Sequence, residues 1–194
     1  DNCSHNGERI RQAFLPFASA WEAKGYTDKG FTAYIEEKTA FPYSMIDKIF
    51  PGPSPKVQSY LKECGFADTE YIKAGRSTYA LFVNAAPQEY LVIEDTFPNG
   101  RPPLEKAGVI FTDRETVNQC ERMKVGTCLN PLHTALAVYG CLLGYVKISD
   151  EIRDPQLKGL IEKIGYDEGL PVVVNPAVLN PKAFIDALLD QRLP

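Results

Sequence analysis

Lys124, Asn130 and His133 fall in one apolar segment, MKVGTCLNPLHTAL (residues 123–136), and their types suit proton transfer at an alcohol. A lysine amine desolvated in a pocket loses its preference for the charged form and can serve as a base, at a pKa of roughly 7–8 in tuned enzymes. An asparagine amide can donate to an oxygen that becomes negative during reaction, and a histidine ring can fix a neighbouring hydroxyl. Together the three suit interconversion of an alcohol and a ketone. Burying three polar groups in such a stretch is costly unless they bond to one another or to a substrate. The same residues also fit a blander arrangement, with Lys124 and Glu121, one turn earlier, as a surface ion pair and His133 as a satisfied core residue.

The element that must position them reads as a long apolar helix from Glu115 to about Tyr145, with Pro131 inside it. On an ideal helix Asn130 and His133 lie about 60° apart and face one side. Lys124 lies about 120° around the same cylinder from Asn130, so a distortion is needed to aim all three inward. Pro131 supplies one: it lacks an amide donor and its ring presses on the carbonyl four residues back, so the helix must bend or break beside Asn130.

Around this segment the chain reads as mixed α and β, mostly helical. A helix is expected from Gly7, with Asn6 as N-cap, a kink at Pro16 and a stop at Gly25. Another covers about Lys29 to Lys38, and the proline-punctuated stretch FPYSMIDKIFPGPSP (41–55) reads as a connection before a helix at 56–64. Short β-branched and aromatic runs at Tyr71–Ile72, Leu81–Val83, 90–95 and 108–111 predict a small β section, with the turn-rich FPNGRPP (97–103) between the last two. Helices at about 155–164 and 182–189 flank an extended LPVVVNPAVLNP.

Composition bounds the function. The chain has 194 residues and 44% apolar content, enough for one large domain or two modest ones. Its net charge of -4, from 21 basic and 25 acidic residues, offers no footprint for nucleic acid. No run approaches the roughly 18 apolar residues of a membrane span, and no signal-peptide pattern opens the chain, so a cytoplasmic location is expected. Five scattered cysteines (Cys3, Cys64, Cys120, Cys128, Cys141) read as reduced, mainly structural thiols. Zinc would need partners such as Cys3 with His5, or Cys120 and Cys128 with His133, but no C-x-x-C or H-E-x-x-H accompanies them. The chain opens on Asp1 and a polar motif, and reads as a piece of something longer.

The pattern K-x5-N-x2-H formed by Lys124, Asn130 and His133 resembles the signature of the polyol-specific long-chain dehydrogenases, the family of mannitol 2-dehydrogenase and fructuronate reductase. DNCSHNG (1–7) resembles that family's D-N-x-x-x-N-G element, FPYSMIDKI (41–49) its F-P-x-S-M-V-D-R-I element, and residues 86–113 its sheet-and-loop segment nearly throughout. The similarity spans essentially the whole chain. It implies a metal-independent, NAD- or NADP-dependent enzyme acting at C2 of an open-chain polyol or sugar acid. Lys124 would be the general base, Asn2 and Asn130 would hold the reacting oxygen, and Glu121 would relay the lysine's proton to solvent. His133 and Asp47 would bind substrate hydroxyls. Pro131 and Leu132 stand where the family carries a small pair such as Gly-Ser.

The resemblance also implies an architecture. Residues 1–113 would complete a nucleotide-binding domain with its added β section, and 114–194 would begin a helical substrate domain like the C-terminal domain of 6-phosphogluconate dehydrogenase; the alternative cut lies near residue 52. No G-x-G-x-x-G is present, so the cofactor-binding half is expected to lie outside this sequence, as is the family's later R-x7-K element. A non-catalytic helical dimerisation or ligand-binding module is the rival reading. Oligomeric state cannot be read from these residues.

Overall fold

The computed structural model describes residues 3–48, 50, 52–85 and 90–193. It has two compact units, one made of residues 1–45 with 92–194 and the other of residues 46–91.

The first unit opens with helix α1 (Asn6–Ala23), which runs without interruption through Pro16. Gly25 ends it as expected: at φ 71° it turns the chain so that Tyr26 N donates to the Trp21 carbonyl at 2.9 Å. Helix α2 (Phe31–Lys38) has no side-chain cap of its own. The α1 carboxylate Glu22 takes that part, accepting from Gly30 N at 2.8 Å and Thr32 N at 2.9 Å. Those amides lack intrahelical partners, and their bonds hold the Glu22 carboxyl below the usual carboxylate range.

The proline-rich stretch that follows is more than a connection, because strand β1 (Ser44–Asp47) forms inside it. Tyr43 and Met45 alternate inward there, at 8% and 2% exposure. Four residues between prolines are too short a run to announce a strand by periodicity.

The second unit contains helix α3 (Pro55–Glu63), with Pro55 in its first turn, and the antiparallel hairpin of β2 (Ile72–Ala74) and β3 (Ser77–Tyr79). Gly75 at φ 60° reverses the chain immediately after β2, so 77–79 pair with it. The strand expected at Leu81–Val83 does not form, and both of those side chains are about two-thirds exposed (68% and 69%).

Strand β4 (Tyr90–Glu94) is the centre of a three-stranded sheet of order β1–β4–β5, and β5 (Ile110–Thr112) pairs parallel to it with Val92 opposite Ile110. The loop between them is fastened by Arg101, which forks onto Asp95 at 3.0 Å, reaches Glu105 at 2.6 Å and lies over the Phe111 ring. Helices α4 (Arg114–Glu121), α5 (Asn130–Leu142), α6 (Ile148–Glu151), α7 (Pro155–Glu162) and α8 (Pro181–Ala187) make up the rest. Wide π turns continue α4, α7 and α8, at 122–128, 163–169 and 188–192. The stretch expected to be extended begins instead with a 3-10 turn at 170–172. The helical core joins Met123, Cys128, Leu132, Leu136, Leu157, Ile161, Ile185 and Leu188. The chain is thus α+β and mostly α. Among the described residues, no helix is long and apolar enough to cross a membrane.

Candidate active site

The segment around Lys124 is not one bent helix. Helix α4 ends at Glu121, a π turn runs from Arg122 to Cys128, and α5 begins at Asn130. The wide turn closes with Leu129 N donating to the Lys124 carbonyl at 2.9 Å, and Leu129 itself leaves helical geometry at φ -119° and ψ -69°. Pro131 therefore lies in the first turn of a new helix, where its missing amide is no loss. The break expected beside Asn130 is present, and angles taken from one ideal helix do not apply across it. Such wide turns recur at functional sites.

The turn drives Lys124 inward. Met123 and Cys128 are fully buried on either side of it, while Val125 and Gly126 face out. Lys124 itself is only 3% exposed, which excludes the reading of it as a solvated surface ion pair. Burial then grades outward: Glu121, the last residue of α4, and His133 are half-buried, and Asn130 is exposed at the start of α5. The His133 ring sits with Nδ1 3.1 Å from the Leu129 carbonyl. A carbonyl can only accept, so Nδ1 is the donor in this contact, and in any neutral ring so bonded Nε2 is the acceptor.

Asn2 lies outside the described residues. Asp47 ends β1, and its side chain is likewise outside them. What is described is the machinery next to Asn2 in sequence. Asn6 is not the N-cap of α1: His5, at φ 52°, occupies that position, and Asn6 is the helix's first residue. Its carboxamide reaches β1 instead, where Nδ2 donates to the Ser44 carbonyl at 2.9 Å and to Ser44 Oγ at 3.0 Å. Its Oδ1 accepts from Ser44 N at 3.0 Å and Gly7 N at 2.8 Å. Gly7 has to be glycine, since a Cβ there would overlap the Phe41 and Pro42 carbonyl oxygens. A cleft of about 550 Å³ opens beside this lock, lined by Cys3, Arg9, Ile10 and Pro42 among others.

Sequence reasoning missed Glu94. Strand alternation puts it on the same inward face as Val92, and it is 5% exposed. Its Oε2 accepts from Tyr43 N at 3.0 Å and its Oε1 from Arg114 Nε at 3.0 Å. The signal was available in YLVIED, where a carboxylate occupies the inward beat of an apolar strand. Cys120 and Cys128 are buried, and burial pushes both thiols up to about 11, so they remain protonated packing groups. Among the described residues, no three His, Cys, Asp or Glu side chains are grouped as a metal site.

No family model matches the chain. It is 51% identical, over all of its length, to the D-mannonate oxidoreductase of Thermotoga maritima, and 32% identical over 98% of its length to the polyol:NADP oxidoreductase of Gluconobacter oxydans. The chain spans 36% of each of those relatives. Among solved structures, D-sorbitol dehydrogenase in substrate-free form superposes with TM-score 0.78 at 30% identity, over 98% of this chain and 36% of that one. The ternary complex of Pseudomonas fluorescens mannitol 2-dehydrogenase with NAD and D-mannitol superposes with TM-score 0.67 at 29% identity, over 98% of this chain and 35% of that one.

Proposed function

The chain belongs to the mannitol dehydrogenase and fructuronate reductase family, and we propose that the complete protein interconverts a secondary alcohol and a ketone at C2 of an open-chain sugar acid or polyol, with a nicotinamide cofactor. The observation that carries this reading is the burial of Lys124, at 3% exposure, in a π turn between two fully buried residues. A buried amine is expensive to maintain for packing alone. It is useful where a proton must be taken from an alcohol out of contact with water.

In the oxidative direction Lys124, as the neutral amine, takes the hydroxyl proton while Asn2 and Asn130 donate to the oxygen. Glu121, half-buried one turn before Lys124, passes the proton outward. His133 Nε2, left as an acceptor, takes a hydrogen bond from a substrate hydroxyl, and Asp47 takes another. When bound, the nicotinamide would supply the redox chemistry as acceptor of the hydride from C2. No strand-to-helix turn in the sequence has the glycine pattern that cradles a pyrophosphate, and the residues named above act on the alcohol. Their share of the work is to place the alcohol and dispose of its proton. We assign residues 1–113 to the completion of the cofactor domain and 114–194 to the substrate domain.

The 51% identity to a D-mannonate oxidoreductase, against 32% to a polyol oxidoreductase, favours the mannonate–fructuronate pair over mannitol–fructose. Assay of the full-length protein against aldonates and polyols, with NAD and with NADP, tests this. Turnover of mannonate above mannitol is expected. Failure to reduce either cofactor with any aldonate or polyol overturns the proposal.

A further inference from the structure

The π turn at 163–169 takes no part in the chemistry proposed above, yet it is built to stand close to the turn that carries Lys124. Two of its glycines show this. Gly169, at φ -77° and ψ -53°, has ordinary helical backbone, which alanine adopts with less loss of chain entropy. Its conformation therefore does not call for glycine, but its surroundings do. A Cβ at Gly169 would lie 3.1 Å from Thr127 Cγ2, and Thr127 belongs to the 122–128 turn, three residues after Lys124. It would also lie 3.0 Å from the Ile164 carbonyl oxygen of its own turn. Gly165 is buried and faces other neighbours: a Cβ there would stand 3.3 Å from Ile185 Cγ2 of α8 and 3.5 Å from Leu132 Cδ1 of α5.

The Lys124 turn is packed on its inner side. There Met123 and Cys128 share the core with Ile161, and Ile164 and Leu170 pack against it. On the outer side Val125 and Gly126 face out, and a Cβ at Gly126 would meet nothing within 4 Å. The 163–169 turn is itself fastened to α8, where Tyr166 Oη donates to Asp186 Oδ1 at 2.8 Å and Lys182 Nζ donates to the same carboxylate at 2.8 Å. Helix α8 thus holds the 163–169 turn, and that turn stands against Thr127.

We propose that Gly169 is a positioning residue: its missing side chain lets the 163–169 turn close on Thr127, and that contact keeps the Lys124 amine buried and in place. Its importance for catalysis rests on the reading of Lys124 given under Proposed function, whereas the contact and the burial do not. Carbon atoms pack at about 3.5–4.0 Å, so a methyl at Gly169 must push Thr127 away by roughly 0.4–0.9 Å. A misplacement of about 1 Å can cost on the order of 100-fold in rate, so this shift should cost about tenfold.

The test uses the full-length protein and the variants Gly169→Ala, Thr127→Ser, the double variant Gly169→Ala/Thr127→Ser, Gly165→Ala and Lys124→Ala, each checked by thermal melting. Two quantities are read: steady-state turnover, and the rate at which Lys124 is reductively methylated in the native protein, located by mass spectrometry against the exposed Lys158. Gly169→Ala should lower kcat about tenfold with cofactor KM within about twofold, and should speed methylation of Lys124 on the order of tenfold. Thr127→Ser removes only the crowded methyl. By itself it should stay within about threefold of wild type, and in the double variant it should restore both readouts. Gly165→Ala crowds α8 rather than the Lys124 turn and should leave both readouts as in wild type. Wild-type turnover or wild-type labelling in Gly169→Ala, a loss that Thr127→Ser does not recover, or an equal effect of Gly165→Ala overturns the proposal. If Gly169→Ala does not fold, the double variant decides: a folded, active protein supports the proposal, and a second failure to fold overturns it by placing the crowding at Ile164. Lys124→Ala separates the two levels. If it turns over normally, the catalytic reading itself fails; if it is inactive while Gly169→Ala behaves as wild type, only the role of Gly169 fails.

Discussion

Two regions of the first unit are fastened by opposite means. Around residues 5–7, 43–45, 94 and 114 the fastening is polar: the Asn6 carboxamide makes four hydrogen bonds to named partners, and the two Glu94 carboxylate oxygens accept from Tyr43 N and Arg114 Nε. Around Lys124 it is apolar, with Met123, Cys128, Leu132 and Leu136 all fully buried. Hydrogen bonds fix direction, so the polar region sets the start of α1 at a fixed angle to Ser44. Apolar packing fixes little direction but excludes water, and that is what a lysine base requires. The difference indicates that one region supplies geometry and the other supplies environment.

Substitutions sharpen that division. Leu132→Ala should cost most, about 2–5 kcal/mol of stability by chemical denaturation, because it opens a cavity in the apolar support. Gly7→Ala should cost about 1–3 kcal/mol by the same measurement, since the added methyl must push the Phe41 and Pro42 carbonyls away from α1. A Gly7→Ala protein as stable as wild type would mean the polar lock is looser than drawn. Thiol labelling compares the regions without mutation: Cys3, Cys64 and Cys141 are exposed and should react with a thiol reagent in the native state. Cys120 and Cys128, buried and pushed up to about 11, should react only on unfolding.

The smallest effect concerns a polar cap on the apolar region. Asp154 accepts from Gln156 N at 2.8 Å, Leu157 N at 3.2 Å and Tyr145 Oη at 2.9 Å, and these bonds hold its carboxyl below its ordinary value of 3.8. A depressed carboxylate contributes stability above its unfolded pKa and loses it as pH falls through the folded one. Asp154→Ala should therefore melt below wild type at neutral pH, with the gap closing under acid conditions beneath pH 3.8. A gap independent of pH would contradict the assignment.

Much of this was legible from residue order. Periodicity and punctuation located the main helices, and Gly25 ended α1 as a residue free to adopt positive φ does. Pro131 signalled a break in the right place, though not its form, because a π turn depends on which side chains the surrounding core accepts. Strand β1 was hidden by its shortness and its flanking prolines, since its pairing with β4 is a long-range event that local pattern does not encode. Asn6 looked like a cap because asparagine commonly caps; its actual partner, Ser44, is 38 residues away. The importance of Lys124 was suggested by its neighbours' types, but its burial could come only from the fold.

The direct test is the turnover of Lys124→Ala in the full-length protein, measured alongside its affinity for the nicotinamide cofactor. The account predicts a loss of about 10²–10⁴-fold in alcohol oxidation, the span a general base contributes, with cofactor affinity unchanged. Turnover at the wild-type rate would contradict it.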